Sequence, residues 1–468
     1  MVYDIAIIGG GVVGCACFSK LTRLGQKVIL IEKNTDVAMG ASKANSGLVH
    51  AGFDCKPNTL KAKLNVQGNK MFPALCDELS VPFLRTGAIV VGNNLDHLNE
   101  LYIRGKTNGV DKLSIVENIR LHKLVPNLSP EIHSGLFAGS AGIVSPYMLT
   151  IALAEEAVIN GGTIKFRFKI EKIKKNNDIF TILSKKETVF AKKIINCSGE
   201  GYNEIAKMLG TETYPIEYRK GEYFILDKNT NLTNITVFPL PSEKGKGVLA
   251  SPTIDGNTLI GPSSEISNYD TSTTIEGLNY IKQSISNMFT NIPWNKVIRE
   301  YAGVRIISGD DFIIEKSSRN DNVINICGIC SPGLSSAPAI AEYVARELLN
   351  INAKEKYKKR KPYTVCKNLS DEELNKLISK NKSYGKIVCR CEMISEGEIL
   401  EAINSPLHPT TIDSIKRRVR AGMGRCQGGF CSLKVAGLLA RELNCNIEKI
   451  EKDNIDSFII SGNIKENL

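Results

Sequence analysis

The sequence predicts an α/β fold, in which a parallel-sheet domain at the N-terminus is combined with an antiparallel-sheet domain and a small helical module at the C-terminus. Three observations predict this fold. They are an apolar strand with a glycine-rich turn and a helix at the start of the chain, strand patterns with turn signals over residues 211–300, and two close cysteine pairs after residue 388. The 468 residues are enough for two or three domains with separate cores.

The composition is that of a globular protein. Hydrophobic residues make up 42% and charged residues 23% of the chain, unlike the composition of disordered proteins. The sequence has no run of the ~18 apolar residues that a membrane span needs, and its N-terminus has no basic export signal. We therefore expect a cytoplasmic protein without transmembrane segments. Its 13 cysteines are then expected to be thiols or metal ligands.

Much of the net charge of +11 is concentrated in one short tract, residues 354–361, which holds six Lys or Arg against Glu355. A basic tract of this kind indicates a solvated linker or a surface for an acidic partner. Nucleic-acid binding would call for a recognisable motif with interleaved aromatic residues. We therefore expect no nucleic-acid partner.

The start of the chain is a unit typical of dinucleotide binding. Residues 2–8 are an apolar run of the kind found in buried parallel strands, and the turn GGGVVG and a helical pattern follow it. Gly9 permits the tight turn, Gly11 lets the backbone approach a pyrophosphate, and Gly14 lets the helix pack on the strand. Glu32, at the end of the next strand, is expected to hold the ribose hydroxyls. The pyrophosphate would lie at the helix N-terminus.

The middle of the chain continues both predicted domains. A helical stretch within residues 142–162 precedes β-rich segments and then the strand and turn patterns of the second domain. A last apolar strand leads into a second glycine turn and a helix. Strands are expected at 163–170, 180–184, 191–196 and 322–327, and helices at 275–289 and 337–349.

Several motifs carry a family resemblance. They are GGGVVG at 9–14, SGLVHAGFD at 46–54, GIVSPYMLTIALAEEA at 142–157, RKGEYFIL at 219–226, YAGVRIISGDDFIIE at 301–315 and GICSPGLSSAPAIAEYVA at 328–345. Over residues 1 to about 350 the chain resembles the FAD-dependent glycerol-3-phosphate dehydrogenase family, the group that also holds L-2-hydroxyglutarate dehydrogenases and glycine and D-amino acid oxidases. Its layout is similar to that of the A subunits of anaerobic glycerol-3-phosphate dehydrogenases, which carry a C-terminal ferredoxin-like cysteine module.

The resemblance implies a Rossmann-like FAD-binding domain and an antiparallel-sheet substrate domain of the D-amino acid oxidase type, followed by a small C-terminal [2Fe–2S] helical module. The expected boundaries are 1–83, 143–208 and 305–350 for the FAD-binding domain, 84–142 and 209–304 for the substrate domain, 351–383 for a basic linker, 384–445 for the [2Fe–2S] domain and 446–468 for a C-terminal tail.

Further FAD contacts are implied outside the first turn. Gly333, Leu334 and Ser335 would lie by the isoalloxazine ring, and Ser46 and Gly199 are further candidate cofactor contacts. The sequence contains only one dinucleotide fingerprint, so no second nucleotide fold would deliver NAD(P)H to the flavin. The reductant is therefore expected to be a small substrate.

His50 and Arg305 are the candidate catalytic residues. Family members place a histidine at the position of His50 as a catalytic base, and the alternative is a histidine that only hydrogen-bonds its loop. Relatives use an arginine at the position of Arg305 to grip the anionic group of a small substrate, and the alternative is a structural salt bridge. A guanidinium binds phosphate and carboxylate alike. Arg219 or Lys220 would add positive charge.

The second glycine turn also contains a C-x-x-C pair, Cys327 and Cys330. A redox disulfide is one interpretation of this spacing. Cys327 ends an apolar strand, however, which favours a small core residue.

The C-terminal region contains two tight cysteine pairs. Cys389 and Cys391 are followed after 34 residues by Cys426 and Cys431. Four thiolates with this spacing can hold a [2Fe–2S] cluster or a tetrahedral zinc, and unligated thiols are a third interpretation. The spacing resembles that of the bacterioferritin-associated ferredoxin-like domain, which implies the cluster. The basic stretch 416–420 would partly offset the negative charge of the cluster or form a solvated helix face.

The resemblance implies oxidation of sn-glycerol 3-phosphate to dihydroxyacetone phosphate, with electrons passing through FAD and the cluster to a second electron-accepting flavoprotein or iron–sulfur subunit. Through that partner the chain could associate with the inner face of a membrane. One alternative is oxidation of L-2-hydroxyglutarate, another 2-hydroxy acid or an amino acid on the same scaffold. The other is an electron-transfer subunit whose partner carries out the chemistry.

Overall fold

The computed structural model describes residues 1–241 and 247–462, so the last part of the predicted tail, residues 463–468, lies outside the described residues. An eight-stranded sheet forms the first layer. Five of its strands are parallel, and a hairpin and one further strand pair with them in the antiparallel sense. The parallel strands are Val2–Ile8, Val28–Ile31, Thr163–Lys165, Thr188–Asn196 and Val323–Cys327, and the others are Lys172–Asn176, Ile179–Leu183 and Ile313–Lys316.

Helices pack on this sheet, which explains why its strands are continuous apolar runs in the sequence. The helix that follows the first glycine turn packs against two others, and Ile7, Leu21 and Ile340 are fully buried in their common core. The helices of this layer are Val12–Arg23, Leu60–Glu78, Pro146–Ile159, Tyr202–Leu209 and Gly333–Tyr343.

A nine-stranded, mainly antiparallel sheet forms the second layer. Its strands are Ala88–Gly92, Leu113–Glu117, Ser134–Ala138, Glu217–Leu226, Thr236–Pro239, Leu249–Pro252, Thr258–Gly261, Glu265–Ile266 and Val297–Ile307. Its helices are Leu95–Thr107, Asn118–Leu124 and Ile275–Ser286. A third, small sheet consists of Leu48–Val49, Phe83–Leu84 and Gly142–Val144.

The longest strands of the second sheet, Glu217–Leu226 and Val297–Ile307, pair antiparallel over almost their whole length. Their register sets Arg219 opposite Arg305, Gly221 opposite Gly303 and Tyr223 opposite Tyr301. Because side chains alternate along a strand, these six residues share one face of the pair. The second strand also runs past the expected domain boundary at residue 305, so Arg305 belongs to the antiparallel sheet.

The C-terminal module is helical with one short hairpin. Its core contains Ile399, Ile415 and Leu439, and the buried Cys389 and Cys431 contribute to it. The strands are Ile387–Cys389 and Ile394–Ser395, and the helices are Glu396–Ile403, Ile412–Val419 and Ser432–Glu442.

The basic stretch of this module docks it onto both other domains. Arg418 is completely buried, and its guanidinium donates to both carboxylate oxygens of Asp36 at 2.7 and 3.1 Å. Arg417 reaches the same carboxylate at 3.3 Å and Asp453 at 2.7 Å, and Arg420 pairs with Asp255 at 2.6 Å. The prediction of a solvated helix face is therefore wrong. The three guanidiniums are bound by carboxylates whose sequence positions gave no indication of this pairing.

We expect Asp36→Asn to destabilise the docked protein by about 3–5 kcal/mol, because it leaves a buried arginine without its counter-ion. Burial alone would raise the pKa of Asp36, but Arg418 and Arg417 hold this pKa below its ordinary value of 3.8. A carboxylate with a lowered pKa stabilises the fold above its ordinary pKa, and this contribution is lost as the pH falls through the lowered value. Chemical denaturation at several pH values measures the effect.

The control is Glu372→Gln, which breaks an exposed pair with Lys376 and should cost less than about 1 kcal/mol of stability. An equal loss of stability in both variants would contradict the docking role.

The predicted linker, residues 351–383, is not simply solvated. Most of its basic tract is exposed, but Arg360 is buried and pairs with Glu155 at 2.9 Å. A helix, Asp371–Lys380, with a capping box at its N-terminus follows. Glu155 is distant in sequence, so local charge alone favoured the wrong description of this arginine.

Two predicted elements differ most in extent. The strand expected at 163–170 ends at Lys165, because Arg167 takes a left-handed backbone conformation and Phe168 then bonds to the Glu32 carbonyl at 3.0 Å. The last helix of the first domain begins inside the glycine turn, at Gly333 and not at residue 337. Among the described residues, no helix is both long and apolar enough to cross a membrane.

Candidate functional site

A cavity of about 920 Å³ extends from the first glycine turn to the long strand pair of the second sheet. Nearly all the residues singled out in the sequence outside the cysteine module line it. They are Gly9, Gly11, Gly14, Glu32, Ser46, His50, Gly199, Arg305, Gly333 and Leu334. Ser335 does not line the cavity and is completely buried behind it.

The glycine turn combines tight packing with open space. A Cβ atom at Gly9 would lie 2.6 Å from the Cys197 carbonyl, and one at Gly14 would lie 2.0 Å from the Gly9 carbonyl. Both positions therefore require glycine for the fold itself. At Gly11 the only neighbour of an added Cβ is the Ser42 hydroxyl at 3.3 Å, so this position is an open cradle on the cavity wall.

We expect Gly11→Val to lose most of its FAD, because the added side chain would occupy space that a pyrophosphate needs at the helix N-terminus. The flavin-to-protein absorbance ratio of the purified variant measures this loss. The protein should still fold, since only a rotatable hydroxyl is close to the new atom. Gly437→Val, where no atom lies within 4 Å of an added Cβ, is the control. Full flavin occupancy in Gly11→Val would contradict the assignment.

Glu32 lies where the sequence predicts, at the end of the second parallel strand, and it is buried. Its carboxylate accepts the Gly10 amide at 2.7 Å and the Asn34 amide at 2.9 Å. Burial raises the pKa of Glu32 against the effect of these hydrogen bonds. The carboxylate thus fixes the glycine turn and also faces the cavity.

His50 is held by backbone contacts on both sides. Its amide donates to the Ser335 hydroxyl at 2.7 Å, and its carbonyl accepts from the Asn65 and Asn69 side chains at 3.0 and 2.9 Å. Its ring atom Nε2 lies 3.2 Å from the Ser331 hydroxyl. The Ser335 hydroxyl therefore holds the histidine loop, and its proximity to the flavin ring stays a prediction.

The arginines of the strand pair face the same cavity. Arg305 donates to the Ser263 carbonyl at 3.3 Å and to the Ser264 hydroxyl at 3.4 Å, and among the described residues no carboxylate forms a salt bridge with it. The alternative of a structural salt bridge is thus not supported. Arg219 lines the cavity too but pairs with Glu217 at 2.8 Å. Lys220 points away and pairs with Glu222 at 3.2 Å, so it adds no charge to the cavity.

The C-x-x-C pair of the second glycine turn is not joined. Cys327 and Cys330 are both free thiols. Cys327 is buried in the strand, and burial raises its pKa to about 11. Cys330 lines the cavity.

The four cysteines of the C-terminal module form two pairs. The sulfur atoms of Cys391 and Cys426 are 3.6 Å apart, and the Cys431 thiol donates to Cys389, which with nearby backbone amides lowers the pKa of Cys389 to about 6. Within the described residues, no group of three or more potential ligands is close enough to hold a metal ion. Four sulfur donors surrounded by backbone amides nevertheless have the chemistry that an iron–sulfur cluster needs.

Several residues at the cavity were not among the candidates that the sequence predicts. Tyr223 and Phe238 line the cavity, and Ser331 contacts His50. Ser331 belongs to the GICSPGLSS motif, so the motif could have indicated it. Tyr223 belongs to the RKGEYFIL motif, which could likewise have indicated it, whereas no local pattern separates Phe238 from ordinary core positions.

Two families of known proteins match the chain. The FAD dependent oxidoreductase family matches residues 4–347, and the BFD-like [2Fe-2S] binding domain matches residues 387–441. The first match contains the cavity residues named above, and the second contains the four cysteines of the C-terminal module.

Individual proteins of this kind resemble the chain over most of its length. A glycerol 3-phosphate dehydrogenase of Caloramator mitchellensis is 45% identical, with 100% of both chains covered. A glycerol 3-phosphate oxidase of Mycoplasma genitalium is 32% identical over 75% of this chain and 96% of its own length. The dithionite-reduced, FAD-bound structure of L-alpha-glycerophosphate oxidase from Mycoplasma pneumoniae is similar with a TM-score of 0.71 at 29% identity, over 76% of this chain and 97% of that one.

Proposed function

The chain belongs to the FAD dependent oxidoreductase family, and from this premise we propose that it oxidises sn-glycerol 3-phosphate to dihydroxyacetone phosphate. The family match and the C-terminal domain match confirm the predicted fold class, the enzyme class and the two cofactors, FAD and a [2Fe–2S] cluster. The substrate, the roles of individual residues and the electron acceptor are the content of the proposal.

The residues present fit both cofactors. The open cradle at Gly11, the helix N-terminus behind it and the Glu32 carboxylate suit the pyrophosphate and ribose of FAD. Cys389, Cys391, Cys426 and Cys431 supply the four sulfur ligands of the cluster. When bound, FAD supplies the hydride acceptor and the cluster accepts electrons one at a time.

The observation that carries the proposal is the position of Arg305 and Arg219, which lie opposite each other in register at the cavity that also contains His50. Among the described residues Arg305 has no carboxylate partner, whereas Arg219 also pairs with Glu217. A phosphate group bears about −1.5 to −2 charges at neutral pH and offers three acceptor oxygens. Two neighbouring guanidiniums therefore suit it well. Both guanidiniums donate to the Ser264 hydroxyl at 3.4 Å, which orients them toward the same part of the cavity.

His50 takes the role of the base. Oxidation of a secondary alcohol requires removal of the hydroxyl proton while the hydrogen on carbon leaves as hydride, and a neutral imidazole suits the proton transfer. Ser335, Asn65 and Asn69 fix the backbone of His50. The Ser331 hydroxyl at Nε2 orients the ring.

The electrons then leave through the C-terminal module to a separate electron-accepting flavoprotein or iron–sulfur protein. Cys391 is exposed, and the side chain of Phe430, beside Cys431, is 83% exposed. An apolar surface next to a redox centre suits the docking of a protein partner. We place the reaction in a reducing compartment, the cytoplasm, because the four cluster cysteines would have to stay reduced to act as ligands. Membrane association would come only through the electron-accepting partner.

The test is anaerobic addition of candidate substrates while the flavin absorbance is followed. We expect sn-glycerol 3-phosphate to bleach the flavin, and L-2-hydroxyglutarate, glycine and proline to leave it oxidised. Arg305→Gln should raise the glycerol 3-phosphate concentration needed for half-bleaching, whereas Arg319→Gln on the exposed surface should not. Bleaching by L-2-hydroxyglutarate alone would favour the 2-hydroxy acid alternative, and bleaching by none would favour an electron-transfer subunit.

A further inference from the structure

One face of the long strand pair connects the cavity with the cysteine module. Alternate residues of strand Val297–Ile307 lie on this face. Gly303 and Arg305 line the cavity, whereas Arg299, at the other end, donates to the Gln427 side chain at 3.0 Å. Gln427 follows Cys426 directly, so the face begins at the flavin cavity and ends at a cysteine loop.

Two stacked tyrosines occupy the middle of that face. Tyr223 lines the cavity, and its ring lies 4.9 Å from that of Tyr301 with only 8° between the planes. The Tyr301 hydroxyl donates to the Asn45 carbonyl at 3.0 Å. Burial, together with the nearby Tyr223 and Tyr147, raises the pKa of Tyr301 well above its ordinary value, so it stays a neutral phenol.

A third tyrosine, Tyr147, contacts the module and is near enough to Tyr301 to contribute to its raised pKa. Tyr147 follows strand Gly142–Val144, whose Val144 amide bonds to the Gly47 carbonyl at 2.9 Å, close to the Asn45 contact of Tyr301. The Tyr147 hydroxyl reaches the Met423 sulfur at 3.5 Å. The next residue, Gly424, packs so tightly that an added Cβ would lie 2.3 Å from the Cys391 Cβ.

We propose that the Tyr223–Tyr301 stack and the Tyr147–Met423 contact are the packed bridge by which electrons cross from the flavin cavity to the cysteine module. The inference rests on the proposed function, which supplies the electrons. With both cofactors bound, the two electrons that FAD would accept as hydride would leave one at a time through the cluster to an external one-electron acceptor protein. The hydroxyl proton of the substrate and the proton of the hydride would go to solvent. The tyrosines are not oxidised; their close packing fills the space that the electron crosses.

The test follows flavin and cluster separately after anaerobic mixing with sn-glycerol 3-phosphate. Flavin absorbance reports bleaching, and freeze-quenched electron paramagnetic resonance reports cluster reduction. In Tyr301→Leu we expect flavin bleaching at the unchanged rate and cluster reduction slowed by about tenfold or more, a factor equivalent to ~1.4 kcal/mol. Tyr301→Phe keeps the ring and should behave like the unchanged protein. Met423→Ala, at the other end of the bridge, should slow cluster reduction in the same way.

The matched control is Trp294→Leu, which breaks another aromatic pair, with Phe224 at 5.3 Å, on the opposite face of the same strands. It should leave both rates unchanged. Unchanged cluster reduction in Tyr301→Leu, or equal slowing in Trp294→Leu, would overturn the bridge. If the protein does not oxidise glycerol 3-phosphate, the flavin can be reduced by light, and electron transfer to the cluster can still be followed. Failure of the proposed substrate and failure of the bridge are therefore distinguishable.

Discussion

Replacing His50 with alanine should slow the reduction of bound flavin by sn-glycerol 3-phosphate by roughly 10²–10⁴-fold, the loss typical of a missing general base. The effect should fall on the chemical step. Flavin content should be normal, because Ser335, Asn65 and Asn69 hold backbone atoms of His50 that alanine keeps. Single-turnover stopped-flow absorbance measures the rate.

The exposed His133 is the matched control for this variant. His133→Ala should reduce the flavin at the unchanged rate. If His50→Ala also reduced it at the unchanged rate, His50 would only support its loop, and a different group would have to accept the substrate proton.

Replacing Cys426 with serine should abolish the iron–sulfur cluster, because one of its four sulfur ligands is lost. The unchanged protein should contain about two irons per chain and give an electron paramagnetic resonance signal after one-electron reduction. Flavin bleaching by substrate should remain in Cys426→Ser, since the cavity residues lie in the other two layers. Turnover with the external acceptor should be lost.

Cys445→Ser is the control, because Cys445 is a free thiol outside the two pairs. It should keep its iron and its turnover. Loss of FAD and unfolding in Cys426→Ser would contradict an electron-transfer role and indicate a structural clamp. Stoichiometric zinc in the unchanged protein would contradict the cluster itself.

The sequence was most informative where function depends on local backbone geometry. The turn from Gly9 to Gly14 could be predicted because close packing and a ligand both require glycine at fixed spacing. The cysteine pairs were predictable for a similar reason, since ligand spacing is local. The family motifs located His50 and Arg305 in the same way, and the structure brings both to one cavity.

The sequence was least informative where a role depends on a distant partner. Arg418 and Arg360 belong to basic stretches that favour solvent, yet each is buried against a carboxylate of another segment, Asp36 and Glu155. The hydroxyl of Ser335 binds the amide of His50, a residue 285 positions away, and no local pattern indicates this contact. Local pattern could not distinguish these alternatives, because the deciding contact comes from tertiary packing.

The most direct test of the proposed oxidation is to identify the product formed in an anaerobic single turnover. Oxidised, purified protein is mixed with sn-glycerol 3-phosphate, and dihydroxyacetone phosphate is counted against the flavin reduced. We predict at least one dihydroxyacetone phosphate for each flavin bleached, with the cluster signal appearing after the flavin change. Flavin that stays oxidised, or bleaching without dihydroxyacetone phosphate, would contradict it.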